Sequence, residues 1–318
     1  MKLYVVVPCY NEREVLPETA KELTRVMNAL IDSGEISPES RVTFVDDGSR
    51  DETWEEIVRA IGEYPVVEGI KLSRNQGHQN ALVAGMMTVR DRCDAVITID
   101  SDLQDDVNAI ASFVKEYKAG CDVVYGVRSR RDTDTGFKRN SARLYYKFMR
   151  MMGVELVYDH ADYRLLSRRA LDALSEFDEV NLFLRGMVPL LGFKSSTVYY
   201  ERGKRFAGES KYPLWKMFSL ALEGVTSFSV KPIRIIVTMG CVFALIGVIM
   251  AIYALASHFA GHTAAGWTSI MISLWVIGGV QLIALGLIGE YVGKLYSEVK
   301  RRPRYIIEKY VDKKHDAE

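Results

Sequence analysis

The chain has 318 residues, with 41 Lys and Arg against 41 Asp and Glu, so its formal net charge is zero. That balance argues against a nucleic-acid binder, which carries a basic excess, and the length suits one large domain with something smaller beside it. Cys9, Cys93, Cys121 and Cys241 show no Cys-x-x-Cys and no His-paired spacing, so neither a zinc site nor a disulfide framework is suggested and free thiols in a reducing compartment are expected.

Met1-Lys2-Leu3-Tyr4 runs straight into an apolar pattern closed by Pro8, which reads as a strand over Leu3–Val7 and not as a signal peptide. Helical spacing follows over Val15–Ile31, with Pro17 tolerated in the first turn. Val42–Val45 reads as a second strand that ends at Asp46-Asp47-Gly48-Ser49, and Asp51 reads as the N-cap of a helix through Ile61. Further strands are expected at Val66–Leu72, Ala95–Ile99 and Val123–Val127, alternating with helices at Gln79–Arg90 and Val107–Tyr117. This alternation is the pattern of βαβ units on a parallel sheet. Right-handed crossovers put the strands' C-terminal ends on one edge. Tyr10-Asn11-Glu12, Asp46-Asp47, Arg74-Asn75, Asp100/Asp102 and Arg128 all follow strands, and that edge is where an open α/β sheet binds its ligand.

Beyond Arg128 the pattern weakens. Ser129–Lys138 is charged and reads as a mobile loop, Ser141–Met152 as a basic helix, Asp159–Leu166 as a strand and turn, and Thr197–Tyr200 as a last strand. Glu201–Lys211 is a basic, glycine-containing loop. Charge then vanishes between Arg234 and His258, and again between His262 and Glu290. Each stretch exceeds the ~20 residues that cross a ~30 Å hydrocarbon core. A buried helix pair is the other reading. The intervening loop, His258–Gly266, has no Lys or Arg, whereas Lys231, Arg234, Lys294, Lys300, Arg301, Arg302 and Arg304 flank the pair. Both flanks are therefore expected on the cytoplasmic side. Tyr212–Ser229 mixes Trp215, Phe218, Leu222 and Phe228 with Lys216 and Glu223, which suits a helix lying in the membrane interface.

The stretch Val96-Ile97-Thr98-Ile99-Asp100-Ser101-Asp102-Leu103-Gln104 carries the chemistry. It reads either as a strand and solvated turn, or as a strand that delivers two carboxylates into a crevice. In the second case they repel unless a cation lies between them, and oxygen ligation favours Mg²⁺ or Mn²⁺ bridging to phosphates. Tyr10 is either a core tyrosine or a face for stacking on a base. Asp47 is either a turn residue or an acceptor for a base N–H. Asn75-Gln76-Gly77-His78 reads as a helix start, and His78, with no second imidazole nearby, is not assigned as a ligand. Neither a Gly-x-x-x-x-Gly-Lys nor a Gly-x-Gly-x-x-Gly after the first strand is present, against a P-loop NTPase or a dinucleotide dehydrogenase.

Val7-Pro8-Cys9-Tyr10-Asn11-Glu12, Val45-Asp46-Asp47-Gly48-Ser49-Arg50-Asp51, Asn75-Gln76-Gly77 and Asp100-Ser101-Asp102-Leu103-Gln104 together resemble the family 2 glycosyltransferases of the GT-A fold. Asp162-Tyr163-Arg164-Leu165, Ala207-Gly208-Glu209-Ser210-Lys211-Tyr212 and Ile288-Gly289-Glu290-Tyr291-Val292-Gly293 resemble the polyprenyl-phosphate branch. That branch includes dolichol-phosphate-mannose-synthase-like enzymes, and the likeness is greatest to bactoprenol (undecaprenyl-phosphate) glucosyltransferases. The resemblance implies an α/β GT-A domain over residues 1–211 and an interfacial helix over 212–230. A two-helix transmembrane hairpin would follow over 231–292, with crossings at about 234–257 and 267–289, and then a basic cytosolic tail over 293–318. It implies that Pro8, Tyr10, Glu12, Asp47 and Asp100 hold the nucleotide. Asp102, Asp100 and Gln104 would border Mg²⁺ or Mn²⁺, with Asp102 the most direct ligand. Arg128 would lie near sugar or acceptor, Asp162 on the acceptor side as base or orienting group, and Arg202, Arg205, Ser210 and Lys211 on phosphates.

The implied reaction is inverting, metal-dependent transfer of one hexose, glucose from UDP-glucose foremost, to polyprenyl phosphate. It would occur on the cytosolic face of the cell membrane, in a multi-pass protein with both termini cytoplasmic. The Gln-x-x-Arg-Trp of processive members is missing, which disfavours long-polymer synthesis. GDP-mannose or a UDP-aminopentose are alternative donors, and a non-catalytic nucleotide-sugar-binding scaffold is the alternative of another class. The Gly289-x-x-x-Gly293 spacing allows close helix packing, and the resemblance suggests a homo-oligomer, a tetramer.

Overall fold

The computed structural model describes residues 1–128, 160–179, 183–201, 203, 231–259 and 266–313. The chain forms two compact units, one from residues 1–144, 156–212 and 302–318, the other from 145–155 and 213–301.

The first unit is built on a sheet of β1 (Leu3–Cys9), β2 (Arg41–Asp46), β3 (Val67–Leu72), β4 (Ala95–Thr98), β5 (Val123–Arg128), β6 (His160–Ser167), β7 (Ser195–Tyr200) and β8 (Ile307–Asp312). Their spatial order is β7-β5-β6-β4-β1-β2-β3-β8. β1 pairs in parallel with β2 and β4, β2 with β3, and β5 with β7, whereas β6 runs antiparallel to both β4 and β5. The C-terminal ends of β1 to β5 and β7 therefore share one edge, and β6 begins at that edge. The GT-A expectation of a mostly parallel α/β sheet is met.

β1 is buried along its whole length and shows no polar alternation, as a strand covered on both faces requires. Val5 and Val7 share a core with Leu16, Leu23 and Met27 of α1 (Leu16–Asp32) and Ile57 of α2 (Thr53–Glu63). The other face of β1 and β2 takes α3 (His78–Val89), which comes close enough that a Cβ built on Gly85 meets Val6 Cγ1 at 2.4 Å and Val45 Cγ2 at 2.8 Å. α2 starts two residues after Asp51, and the Asp51 carboxylate accepts the Thr53 N–H at 3.2 Å and its hydroxyl at 2.5 Å. Asp51, the expected N-cap, thus secures the helix start from one place before the observed cap position, Glu52. A 3₁₀ turn at Val107–Ala109, capped by Asp106, leads into α4 (Ile110–Lys118). Short helices α5 (Arg168–Ser175) and α6 (Leu184–Leu190) follow β6. Cys9, Cys93 and Cys121 are buried free thiols.

The tail holds an element that the sequence reading lacked. β8 lies antiparallel on β3, with Tyr310 opposite Ile70. Glu68, fully buried on β3, accepts the Tyr310 hydroxyl at 2.7 Å, the Thr43 hydroxyl at 2.7 Å and the Arg92 guanidinium at 2.8 and 3.0 Å. The Arg92 guanidinium also lies over the Tyr4 and Tyr310 rings. A buried carboxylate needs such company, and the C-terminal strand supplies part of it.

In the second unit, α7 (Lys231–Phe259, 29 residues) and α8 (Trp267–Val299, 33 residues) stand where the two crossings were expected. Among the described residues, no helix is long and apolar enough to cross a membrane. The two crossings are therefore not supported by the described residues; side chains at several positions of both helices lie outside them. The loop expected at Ser129–Lys138, the basic helix at Ser141–Met152 and the interfacial helix over 212–230 also lie outside them.

Gly85→Ala replaces a poor helix former with a good one, a gain of about 1 kcal/mol in an exposed helix. Overpacking against Val6 and Val45, at about 1–3 kcal/mol, is expected to outweigh it. Thermal unfolding of the purified variant is expected to give a lower Tm, and an unchanged or higher Tm would contradict the tight α3–sheet contact.

Candidate active site

The shared edge gathers the predicted residues from five strands. Tyr10, just past β1, is 39% exposed, so its ring is open for stacking and is not core. The backbone N–H of Asn11 donates to Ser49 Oγ at 3.0 Å, and its side-chain oxygen accepts from Arg50 N at 2.8 Å. These bonds tie the turn after β1 to the turn after β2. Pro8 lies within β1, opposite Val45. The Glu12 N–H donates to Thr53 Oγ1 at 2.9 Å, which joins this turn to α2.

Asp47 is buried, and its carboxylate accepts the N–H groups of Gln76 at 2.7 Å and Gly77 at 2.9 Å. Burial raises its carboxyl despite these donors. Gly48 makes this approach possible: at φ 64° it lies in the left-handed region, and a Cβ there would strike the Arg74 and Asn75 backbone at 2.5 Å. Asp47 therefore holds the 74–77 loop, and Gly77 leads directly into His78 at the start of α3.

The Asp100-Ser101-Asp102 turn is pinned by α1, whose Thr19 hydroxyl donates to Ser101 O at 2.7 Å. Asp102 Oδ1 accepts the Gln104 N–H at 3.1 Å, and Gly203 N donates to Gln104 O at 2.8 Å. Leu103 between them sits at φ 53°, a conformation that costs a branched residue about 1–3 kcal/mol and that the neighbouring bonds hold in place.

Asp162 reaches the same edge because β6 runs backwards. Arg164 pairs with Thr98 in the β4–β6 register, and the Thr98 hydroxyl donates to the Asp162 carbonyl. Arg164, fully buried, donates to Asp162 Oδ1. Arg185 of α6 donates to both oxygens, Nε to Oδ1 at 3.3 Å and Nη2 to Oδ2 at 3.0 Å. His78 Nε2 lies 3.7 Å from Asp162 Oδ2 and 3.5 Å from Asp100 Oδ1. Burial alone would raise the Asp162 carboxyl, yet His78, Arg164 and Arg185 hold it well below the usual carboxylate range. Burial would lower the His78 imidazole, but Asp162 and Asp100 raise it on balance.

Asp100 is left differently. Its Oδ1 is sealed from solvent without a hydrogen-bond partner, while the side chain keeps 36% of its surface. Burial pushes its carboxyl up to about 6, against the downward pull of His78. An orphaned carboxylate oxygen two residues from a second carboxylate fits a hard divalent cation. Among the described residues, no three His, Cys, Asp or Glu side chains stand together to hold a metal ion, so a cation here needs further oxygens from elsewhere.

Arg128, at the end of β5, is drawn to Asp105 at 3.3 Å, and the Tyr200 hydroxyl donates to the same oxygen at 2.7 Å. It sits at the edge but is engaged by a buried carboxylate. Arg202, Arg205, Ser210 and Lys211 lie outside the described residues. Sequence reasoning passed over His78 and Arg185. The position of His78 after a strand-edge loop was the available signal for the first. Arg185 gave none, because only the packing of α6 brings it to Asp162.

A mostly parallel α/β sheet with an acidic pair at its carboxyl edge, with β6 antiparallel inside it and β8 antiparallel at its border, is the arrangement expected of the GT-A fold. Residues 4–175 match the family described as "Glycosyl transferase family 2", and residues 231–295 match "GtrB C-terminal hairpin". The chain belongs to glycosyl transferase family 2 and is a glycosyltransferase. It is 50% identical over 96% of its length to "Uncharacterized glycosyltransferase YkoT" of Bacillus subtilis (strain 168), covering 91% of that protein. It is 37% identical over 97% of its length to "SfII prophage-derived bactoprenol glucosyl transferase" of Shigella flexneri, covering 98% of it. It is 36% identical, over 97% of its length and 99% of the other, to "Prophage bactoprenol glucosyl transferase homolog" of Escherichia coli (strain K12).

The Asp100 carboxyl, at about 6 in the fold and about 3.9 unfolded, makes a signed prediction. Its ionised form is disfavoured in the folded, metal-free protein, so it costs stability above about pH 6 and nothing below about pH 4. With chelator present, Asp100→Asn is expected to raise Tm at pH 7.5 and to lose that advantage as the pH falls to 4. A gain that is equal at both pH values would contradict the assignment.

Proposed function

We propose that this enzyme transfers a single hexose, glucose from UDP-glucose foremost, to the phosphate of a polyprenyl lipid. The anomeric configuration is inverted, and the product is a lipid-phosphate-sugar on the cytosolic membrane face. The observation that carries this reading is the match, across both the catalytic domain and the hairpin, to proteins named bactoprenol glucosyl transferase.

The geometry supports it. In this reading Tyr10 stacks on the base, Pro8, Glu12 and Asp47 lie alongside it, and the Asp47 carboxylate also holds the Gln76 and Gly77 N–H groups of the 74–77 loop. Asp100, Asp102 and Gln104 would hold a Mg²⁺ or Mn²⁺ ion whose remaining oxygens come from the donor diphosphate and water. Such an ion, when bound, supplies Lewis-acid stabilisation of the charge on the leaving nucleotide. The bond from Gly203 to Gln104 keeps the start of the Arg202–Lys211 loop beside that turn. Arg202, Arg205, Ser210 and Lys211 are the residues assigned to phosphates in this reading, and Arg128 borders the sugar. A phosphate monoester has a second pKa of about 6, so near neutrality the nucleophile is already ionised and asks for orientation more than for a base.

The acceptor explains the hairpin. Exposing a polyprenyl tail to water costs about 0.8 kcal/mol per CH₂, so the enzyme works at the bilayer surface. The charge-free stretches 235–257 and 263–289 of the full sequence anchor it there as two crossings, with 212–230 lying in the interface and both termini cytoplasmic. Assembly as a homo-oligomer is part of the same reading.

The test is an assay of the full chain in detergent with undecaprenyl phosphate and Mg²⁺ or Mn²⁺. UDP-glucose, UDP-galactose, UDP-N-acetylglucosamine, GDP-mannose and a UDP-aminopentose are offered separately, and the lipid is analysed by mass spectrometry. A glucosylated lipid from UDP-glucose, absent with chelator and in Asp102→Ala, is expected. Product from another donor alone would reassign the sugar. Nucleotide binding with no product from any donor would favour a non-catalytic scaffold.

A further inference from the structure

We propose that Arg185, with His78 beside it, contacts the phosphate monoester of the acceptor, and that Asp162 is the anchor that sets these cations in place and not a proton acceptor. This rests on the acceptor reading above and names the groups that take its phosphate.

Asp162 has no side open for a proton. Arg185 grips both of its oxygens as a fork, at 3.3 and 3.0 Å, Arg164 shares Oδ1, and His78 stands 3.7 Å from Oδ2. A base needs a lone pair turned toward the nucleophile, and here the protein's own cations occupy the carboxylate. The side chain is only 9% exposed, so the nucleophile would have to displace one of them to reach it.

The cations differ in access. Arg164 is 1% exposed and is spent on burying Asp162. The side chains of Arg185 and His78 keep 39% and 43% of their surface, and they are the outward-facing members of the group. A guanidinium holds a carboxylate along one edge while offering planar N–H donors to a phosphate. The pair is also fixed in advance. The backbone N–H of Leu184 donates to Gln79 Oε1 at 3.1 Å, so the residue before Arg185 is tied to the residue after His78. This lock between the starts of α6 and α3 holds both cations at the edge where β6 begins, and it lowers the ordering cost of binding an anion.

The donor diphosphate offers the same chemistry, so the test separates the two phosphates. Full-length wild type, Arg185→Gln, Arg185→Lys and His78→Asn are compared in detergent. Binding of undecaprenyl phosphate and of UDP with Mn²⁺ is measured separately, together with kcat and KM for the lipid. Losing charged hydrogen bonds to phosphate is expected to weaken undecaprenyl phosphate binding in Arg185→Gln about ten- to a hundredfold. KM for the lipid should rise in parallel, with kcat and UDP binding nearly unchanged and partial recovery in Arg185→Lys. A collapse of kcat at unchanged KM would overturn the proposal, because Arg185 would then act only through Asp162. Weakened UDP binding would overturn it in favour of the donor. If Arg185→Gln does not fold, Arg185→Lys carries the same comparison. Wild type that binds UDP but no lipid phosphate would instead refute the acceptor reading itself, before any variant is considered.

Discussion

Two carboxylates from different strands meet at one sheet edge, and the protein balances one of them far more fully than the other. Asp162 is surrounded by Arg164, Arg185 and His78, whereas the sealed Oδ1 of Asp100 accepts no hydrogen bond and shares the His78 imidazole, 3.5 Å away. Buried charges are tolerated when paired and are costly when they are not. The antiparallel β6 is what brings Asp162 across from Asp100, and α3 and α6 bring the cations. Removing Asp162 would strand a fully buried Arg164, so loss of activity in such a variant is as much a structural effect as a chemical one. The unequal treatment divides the edge in two. One half is complete and preorganised; the other is charged, strained at Leu103, and unfinished until a cation and its accompanying oxygens arrive.

That division suits a reaction between two phosphate-bearing partners. In the proposed transfer, the donor diphosphate completes the Asp100 half and the acceptor monoester meets the cationic half. The 74–77 loop couples them, because Asp47 fixes that loop from below and His78 continues it. β8 reaches the neighbourhood as well: the Ser73 N–H donates to Ile306 O at 3.0 Å. The segment that follows the hairpin is thus fastened next to the loop that shapes the nucleotide side.

Much of this was legible in the sequence because parallel strands buried on both faces leave long apolar runs. β1 to β5 lie within a residue or two of their expected places, and Asp100 and Asp102 fall at the end of the fourth. β8 was hidden because an edge strand needs little apolar character: Glu308, Lys309 and Asp312 read as a solvated tail until Glu68 gives Tyr310 a buried partner. Arg185 was hidden for a different reason. A lone arginine in a short helix has no periodic signature, and its meaning comes from a contact 23 positions away in sequence. His78 was dismissed for lack of a second imidazole, a test suited to a metal ligand and not to a bridge between carboxylates. Arg128, expected near sugar or acceptor, does stand at the edge, and its bond to a buried Asp105 had no signal in the sequence.

The measurement that tests the unequal balance most directly is Mn²⁺ binding to the full chain by electron paramagnetic resonance, with and without UDP. If Asp100 and Asp102 alone cannot complete a cation site, UDP should tighten Mn²⁺ binding by about tenfold or more, and by linkage Mn²⁺ should tighten UDP by the same factor. Asp100→Asn should abolish that coupling. Mn²⁺ that binds equally well without nucleotide, or UDP that binds equally well without metal, would contradict the account.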